Sequence, residues 1–211
     1  MQNGAGILGM ELGADEPTVA GDLDNLDQVT LGVHAMSTFA NKGVYVAPVI
    51  VTRIEDKNGN VIYRNAPIEK EAMNEIAAYK TVELMKGVVQ SGTGIRLRTK
   101  YGFKNPIAGK TGTTQKNSDG YFMGITPDLT TGVWVGAEDR SVHFRSTALG
   151  QGSHTALPIW ALYMQKVYAD KSLHVSQGDF PKPYAPGVDL DFNCYRNDDD
   201  NYEGVEYIDE F

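Results

Sequence analysis

The sequence predicts an α+β fold, an antiparallel sheet flanked by helices, and three observations predict it. Helical periodicity occupies residues 25–41 and 74–90, precedes three strand-like runs at 106–113, 121–126 and 131–136, and returns at 156–169. The second and third runs are joined by Thr126-Pro127-Asp128, a good type I turn start, so they should pair antiparallel. Between the first two helices, β-branched residues flank an Asn58-Gly59 dipeptide, the signal of a hairpin. Helices before and after strands that lie close in sequence make a layered α+β arrangement.

The elements follow in order. Residues 1–24 are rich in Gly, Ala, Asp and Glu, have weak periodicity, and read as an irregular lead-in. Asn25 is a plausible N-cap for a helix over 25–41 that turns Leu26, Val29, Val33, Met36 and Phe39 inward and stops at Gly43. Residues 46–54 form the outgoing hairpin strand, with Pro48 suggesting an edge. Asp56 to Asn60 supplies a type I′ turn, and 61–63 returns. The helix over 74–90 presents Ile76, Tyr79, Val82, Met85, Val88 and Val89 and ends at Gly92; Ser91-Gly92-Thr93-Gly94 reads as a C-cap and loop. The last helix turns Ile159, Leu162, Tyr163 and Val167 inward, and Trp134 and Trp160 are most simply core. The folded body thus spans 25–175. From 176 onward Pro181, Pro183 and Pro186 and then Asp198-Asp199-Asp200 mark a solvated, acidic tail, disordered toward its end.

Charge placement narrows the function. Residues 176–211 hold ten acidic and two basic side chains, so the net charge of −8 belongs to the tail and the body is balanced. A body without basic excess argues against nucleic-acid binding. No run approaches the ~20 apolar residues of a membrane span. The single cysteine, Cys194, excludes an intrachain disulfide. His34, His143, His154 and His174 show no tight ligand spacing, so no metal or other cofactor is expected. His143 and His154 could line a site rim, but solvated loop histidines are the simpler identity. Asp119 could orient the loop after the 106–113 run, where a turn aspartate is the simpler identity.

One stretch invites chemistry. Gly109-Lys110-Thr111 superficially matches a phosphate-binding P-loop, but Lys104 stands where that motif needs glycine, and Gly112-Thr113-Thr114 disfavours the helix it needs next. As a strand, the segment puts Lys110 and Gly112 on one face and Thr111 and Thr113 on the other. A lysine ammonium there can attract a carboxylate, a bare glycine lets a ligand lie close, and a backbone N–H can bind a developing oxyanion.

Its surroundings carry a resemblance. The blocks are Ala108-Gly109-Lys110-Thr111-Gly112-Thr113-Thr114, Asp119-Gly120-Tyr121-Phe122-Met123-Gly124-Ile125-Thr126-Pro127-Asp128 and Gly132-Val133-Trp134-Val135-Gly136. With Ser37-Thr38-Phe39-Ala40-Asn41-Lys42-Gly43, the 87–94 segment and Leu157-Pro158-Ile159-Trp160, they resemble the C-terminal part of the transpeptidase domain of bifunctional (class A) penicillin-binding proteins, from about residue 31 to 167. The resemblance implies the serine penicilloyl-transferase fold, with a five-stranded antiparallel sheet. It implies D,D-transpeptidation, the cross-linking of peptidoglycan stem peptides ending in D-Ala-D-Ala, with β-lactams as ligands. It implies that Lys110 and Thr111 help bind the ligand carboxylate, that Gly112 leaves room for it, and that Thr113 gives its N–H to an oxyanion hole and its hydroxyl to the carboxylate. The parent protein would be extracytoplasmic and membrane-anchored.

Such an enzyme also needs Ser-x-x-Lys, whose lysine sits one helical turn from the nucleophile. No lysine here has serine three positions before it; Ser37 is followed at that spacing by Ala40. No serine begins a Ser-x-Asn. The simplest account is a C-terminal portion of a larger protein that is inactive alone, its partner being the N-terminal remainder. Apolar surface left uncovered would make the chain self-associate, repack or be only marginally stable. A D,D-carboxypeptidase or serine β-lactamase remains open for the parent, as does a non-catalytic module that binds peptide termini or a partner protein through the Lys110 strand and the acidic tail.

Overall fold

In the computed structural model, residues 6–11, 22–49 and 51–189 are described. The framework is a four-stranded sheet with helices on both faces. Its strands are β1 (Gly6–Glu11), β6 (Ala108–Thr113), β7 (Gly120–Ile125) and β8 (Leu129–Val135), in the order β1-β8-β7-β6. β6, β7 and β8 are antiparallel neighbours, as their short connections require. Two expectations are corrected here. The lead-in contains a strand, and that strand lies parallel to β8, so the described sheet has four strands and is mixed. The rest of the lead-in, Cys194 and the end of the acidic tail lie outside the described residues.

Helix α1 (Asp22–Ala40) begins three residues earlier than its expected cap. It ends where Gly43 adopts φ +86°, a conformation open to glycine, and a Cβ there would lie 2.2 Å from the Met73 carbonyl oxygen. Helix α2 (Glu75–Gln90) starts at Asn74, whose side chain accepts from the Ala77 N–H at 2.8 Å. Its buried face is Ala78, Val82, Met85 and Val89. α3 is a single turn (Arg96–Thr99), α4 another (Thr147–Gly150), and α5 spans Ala156–Ala169 as expected.

The phase of α5 differs from expectation. Leu162 is 54% exposed, while Ala156, Leu157, Trp160, Ala161, Met164 and Val167 are buried. Apolar residues nearly encircle this helix, so periodicity alone does not choose a face. Close approach to the sheet does. At Gly124 a Cβ would sit 2.3 Å from the Trp160 indole, so Trp160 packs directly on the strand backbone, with Phe122 edge-on to it at 5.3 Å.

The hairpin region divides in two. Pro48 interrupts the expected 46–54 strand, giving β2 (Val44–Val46), which pairs with β5 (Glu69–Glu71), and β3 (Arg53–Glu55), which pairs with β4 (Val61–Arg64). The turn is not type I′. Gly59 takes φ +86° but Asn58 does not have positive φ, and Asp56 Oδ1 accepts from the N–H groups of Asn58 and Asn60. That carboxylate satisfies the turn without left-handed backbone at Asn58, and the strand register shifts beside it.

The boundary at 175 is also corrected. Phe180 is 6% exposed and packs with Val82, Met85, Ala108 and Ile125, and Val188 is buried. Asp179 accepts from Lys86 Nζ at 2.9 Å, and the Ser176 N–H donates to Asp128. Residues 176–189 therefore close the open end of the α2–β6 core. Phe180→Ala should lower unfolding free energy by roughly 3 kcal/mol, measured by chemical denaturation. A change below about 0.5 kcal/mol would show that this segment only lies on the surface.

Candidate functional site

The Lys110–Thr113 strand is the end strand of the sheet. β6 pairs with β7 on one side, and among the described residues no strand pairs with its other edge. Antiparallel ladders alternate, so the phase can be fixed from one bond. The Thr114 N–H donates to the Asp119 carbonyl at 3.0 Å, just beyond the Thr113↔Gly120 pair. Even-numbered residues of β6 therefore point their backbone groups at β7, and Thr111 and Thr113 point theirs outward, to the free edge.

Side chains obey the expected alternation. Ala108 belongs to the core on the α1/α2 face, and Lys110 and Gly112 share that side. Thr111 and Thr113 face the α5 side with Phe122 and Gly120, their cross-strand partners. Lys110 is exposed and its Nζ folds onto the Thr111 carbonyl at 2.7 Å. A Cβ on Gly112 would meet Tyr121 Cβ at 3.1 Å, so part of its need for glycine comes from the neighbouring strand.

Residues outside the motif contact the strand at Thr111 and at Thr113. The Thr93 and Thr111 hydroxyls lie 2.8 Å apart. The segment 91–94 is thus more than the cap and loop expected from sequence. Gly92 and Gly94 wind it tightly onto α2, where a Cβ on either would press the Val88 backbone at 2.9–3.1 Å. The winding carries Thr93 across to β6. On the other side, the Gly152 N–H donates to Thr113 Oγ1 at 3.1 Å. Because that oxygen already accepts, its own O–H is left to donate outward. Gly152 has no room for a side chain, with the Tyr121 and Gly112 carbonyls 2.3 and 2.4 Å from an ideal Cβ.

Asp119 is the anchor of the loop after β6. It is 6% exposed and accepts from Thr114 Oγ1 (2.7 Å), Ser118 Oγ (3.0 Å) and Trp134 Nε1 (3.1 Å). The orienting role, and not a solvated turn aspartate, describes it. Its nearest cation, Arg140, is 4.0 Å away and largely exposed, so hydrogen bonds hold this carboxylate more than charge does. His154 is exposed on the 151–155 turn, bonded to Gln151 (2.6 Å) and Ser153 (3.1 Å); partial burial and then the charges of Arg96 and Lys100 lower its pKa. His143 is exposed and reaches only the Phe144 carbonyl. Asp119→Ala strips three donors of their acceptor and should cost roughly 2–3 kcal/mol, with a shift in Trp134 fluorescence. An unchanged spectrum and stability would overturn the anchor role.

Known proteins match this sequence and fold. The family model described as the penicillin binding protein transpeptidase domain matches residues 31–155. Penicillin-binding protein 1A of Aquifex aeolicus is 36% identical over 136 residues, covering 63% of this chain and 18% of that protein. Its counterpart in Clostridium tetani is 34% identical over 142 residues, covering 66% and 18%. The chain therefore spans less than a fifth of the length of these relatives. Among solved structures, penicillin-binding protein 1A of Haemophilus influenzae superposes with a TM-score of 0.59 at 21% identity, over 66% of this chain and 26% of that one, a likeness of fold. With a family model covering more than half its length and an edge strand carrying Lys110, Thr111 and Thr113, the chain belongs to the penicillin-binding protein transpeptidase family.

Proposed function

We propose that this chain supplies one wall of a peptidoglycan D,D-transpeptidase site, the wall that binds the substrate carboxylate and the reaction's oxyanion. The observation that supports the reading most is the free outer edge of β6, toward which Thr111 and Thr113 direct their backbone groups. A stem peptide ending in D-Ala-D-Ala, or a β-lactam in its place, would lie along that edge as an added strand. Attack by a serine on its carbonyl carbon would put negative charge on the carbonyl oxygen, and the Thr113 N–H would donate to it. The hydroxyls of Thr111 and Thr113 would take the terminal carboxylate, and Gly112 would leave the ligand room to approach. Lys110, on the adjacent face, would contribute a cationic field rather than a direct contact. The serine and its lysine would come from polypeptide outside these 211 residues, in a protein acting on the outer side of the cytoplasmic membrane. Exposed apolar side chains such as Leu31, Leu149 and Leu162 are consistent with self-association of the chain on its own.

Incubated with a fluorescent penicillin, the purified chain should show no covalent label and should sediment as more than a monomer, whereas the full-length protein that contains it should be labelled. In that protein Thr113→Val should slow acylation about tenfold, the effect of one lost charge-accepting hydrogen bond. Labelling of the chain alone would sink the external-nucleophile reading. Wild-type acylation by Thr113→Val would remove the hydroxyl from the carboxylate wall.

A further inference from the structure

Lys110 and the two threonine hydroxyls point to opposite faces of β6. A carboxylate held by those hydroxyls therefore lies across the strand from the motif's own cation. Contacts around the hydroxyl face form a closed ring. Thr111 touches Thr93 (2.8 Å), and three residues on, the half-buried Arg96 donates from Nη1 to the Ser153 carbonyl (3.3 Å). Ser153 adjoins Gly152, whose N–H reaches Thr113 Oγ1 (3.1 Å). One guanidinium N–H is used on Ser153, which leaves a planar fork of four donors, the geometry that suits a carboxylate. Lys100 adds to the same field: partial burial and then the charges of Arg96 and Lys100 lower the pKa of the exposed His154 imidazole. Among the described residues, neither Arg96 nor Lys100 forms an ion pair with a carboxylate. This is positive charge without an internal counterion among the described residues, carried by the segment whose Thr93 meets the Thr111 hydroxyl and whose Arg96 meets the turn that holds the Thr113 hydroxyl.

We propose that Arg96, supported by Lys100, supplies the charge that selects a ligand with a free C-terminal carboxylate at the Thr111–Thr113 face. The assignment rests on the transpeptidase-wall reading and adds a specificity-determining residue to it, from a segment whose sequence shows only a basic turn. Arg96 acts on the carboxylate and not on the carbonyl under attack, so it governs which peptide ends bind.

The full 211-residue chain allows an equilibrium measurement, because it has no Ser-x-x-Lys to acylate. Amide resonances would be followed by NMR while an N-acetylated peptide ending in D-Ala-D-Ala is added, once as the free acid and once as the C-terminal amide. The acid should bind about fivefold tighter at low salt, with the preference shrinking as salt rises. Arg96→Gln should bring the two affinities together while leaving that for the amide unchanged. Arg96→Lys should keep most of the preference, and Lys100→Gln, a change at an exposed side chain, should lose a smaller part of it. Acid preference that survives intact in Arg96→Gln overturns the assignment while leaving the wall reading in place. Equal binding of acid and amide by the unmodified chain, or binding of neither, overturns the wall reading and this inference with it.

Discussion

Trp160 rests directly on the backbone of β7, in the space that a side chain at Gly124 would fill. The contact fixes the depth at which α5 sits on the sheet. Phe122, Phe103 and Leu157 close around the indole, with the Phe103 ring tilted at 54° and 6.0 Å from it. Because α5 begins at Ala156, the same contact sets the height of the 151–155 turn, and Gly120 and Gly152 extend the close approach to the far end of the strand. The Gly152 N–H then meets the Thr113 hydroxyl. These glycines make room for close approach, of the Trp160 indole at Gly124 and of neighbouring backbone at Gly152, and the Lys110–Thr113 strand is located by that packing.

α2 does the corresponding work at the edge. Val82 and Met85 belong to the core on the α1 side, while Val89, two turns on, belongs to the core on the α5 side. The helix therefore wraps the end of the sheet without adding a strand. Its glycine-wound C-terminus delivers Thr93 to Thr111 and starts the turn that carries Arg96. Among the described residues the outer edge of β6 has no strand partner but is framed on both sides, and Asp119 pins the chain's exit from it.

Much of this was legible in the sequence where local chemistry decides structure. The start of α2 at residue 74, the stop of α1 at Gly43, the limits of α5 and the alternation along β6 follow from short-range rules. What escaped depends on contacts distant in sequence. The face of α5 is chosen by a glycine 36 residues earlier in β7. Phe180 sits among prolines and acids, a composition that reads as solvated, yet an opening over Ala108 and Ile125 receives it. The Asn58-Gly59 signal was correct for a hairpin and wrong for its geometry, because Asp56 offered the turn a carboxylate. For the site, the motif strand was visible, while Thr93, Arg96 and Gly152 join it only through tertiary contacts. Two glycines bracketing a threonine at the end of a helix were the one local sign that the turn had a fixed shape.

The unpaired edge of β6 has a second consequence, in the behaviour of the protein at high concentration. An edge that accepts a ligand strand is equally a template for the same strand of another molecule, and most sheet proteins cover or bend such edges. On the proposed reading this one stays open so that a ligand can lie along it. Its protection is electrostatic: Lys110 is exposed in the strand and Lys116 just beyond it, so two copies approaching edge to edge bring like charges together. On the proposed reading a ligand arriving with a carboxylate would enter a positive field that a second copy would meet as repulsion. Neutralising these lysines would leave the groove intact while removing the barrier to stacking, and solubility would fall before the fold does.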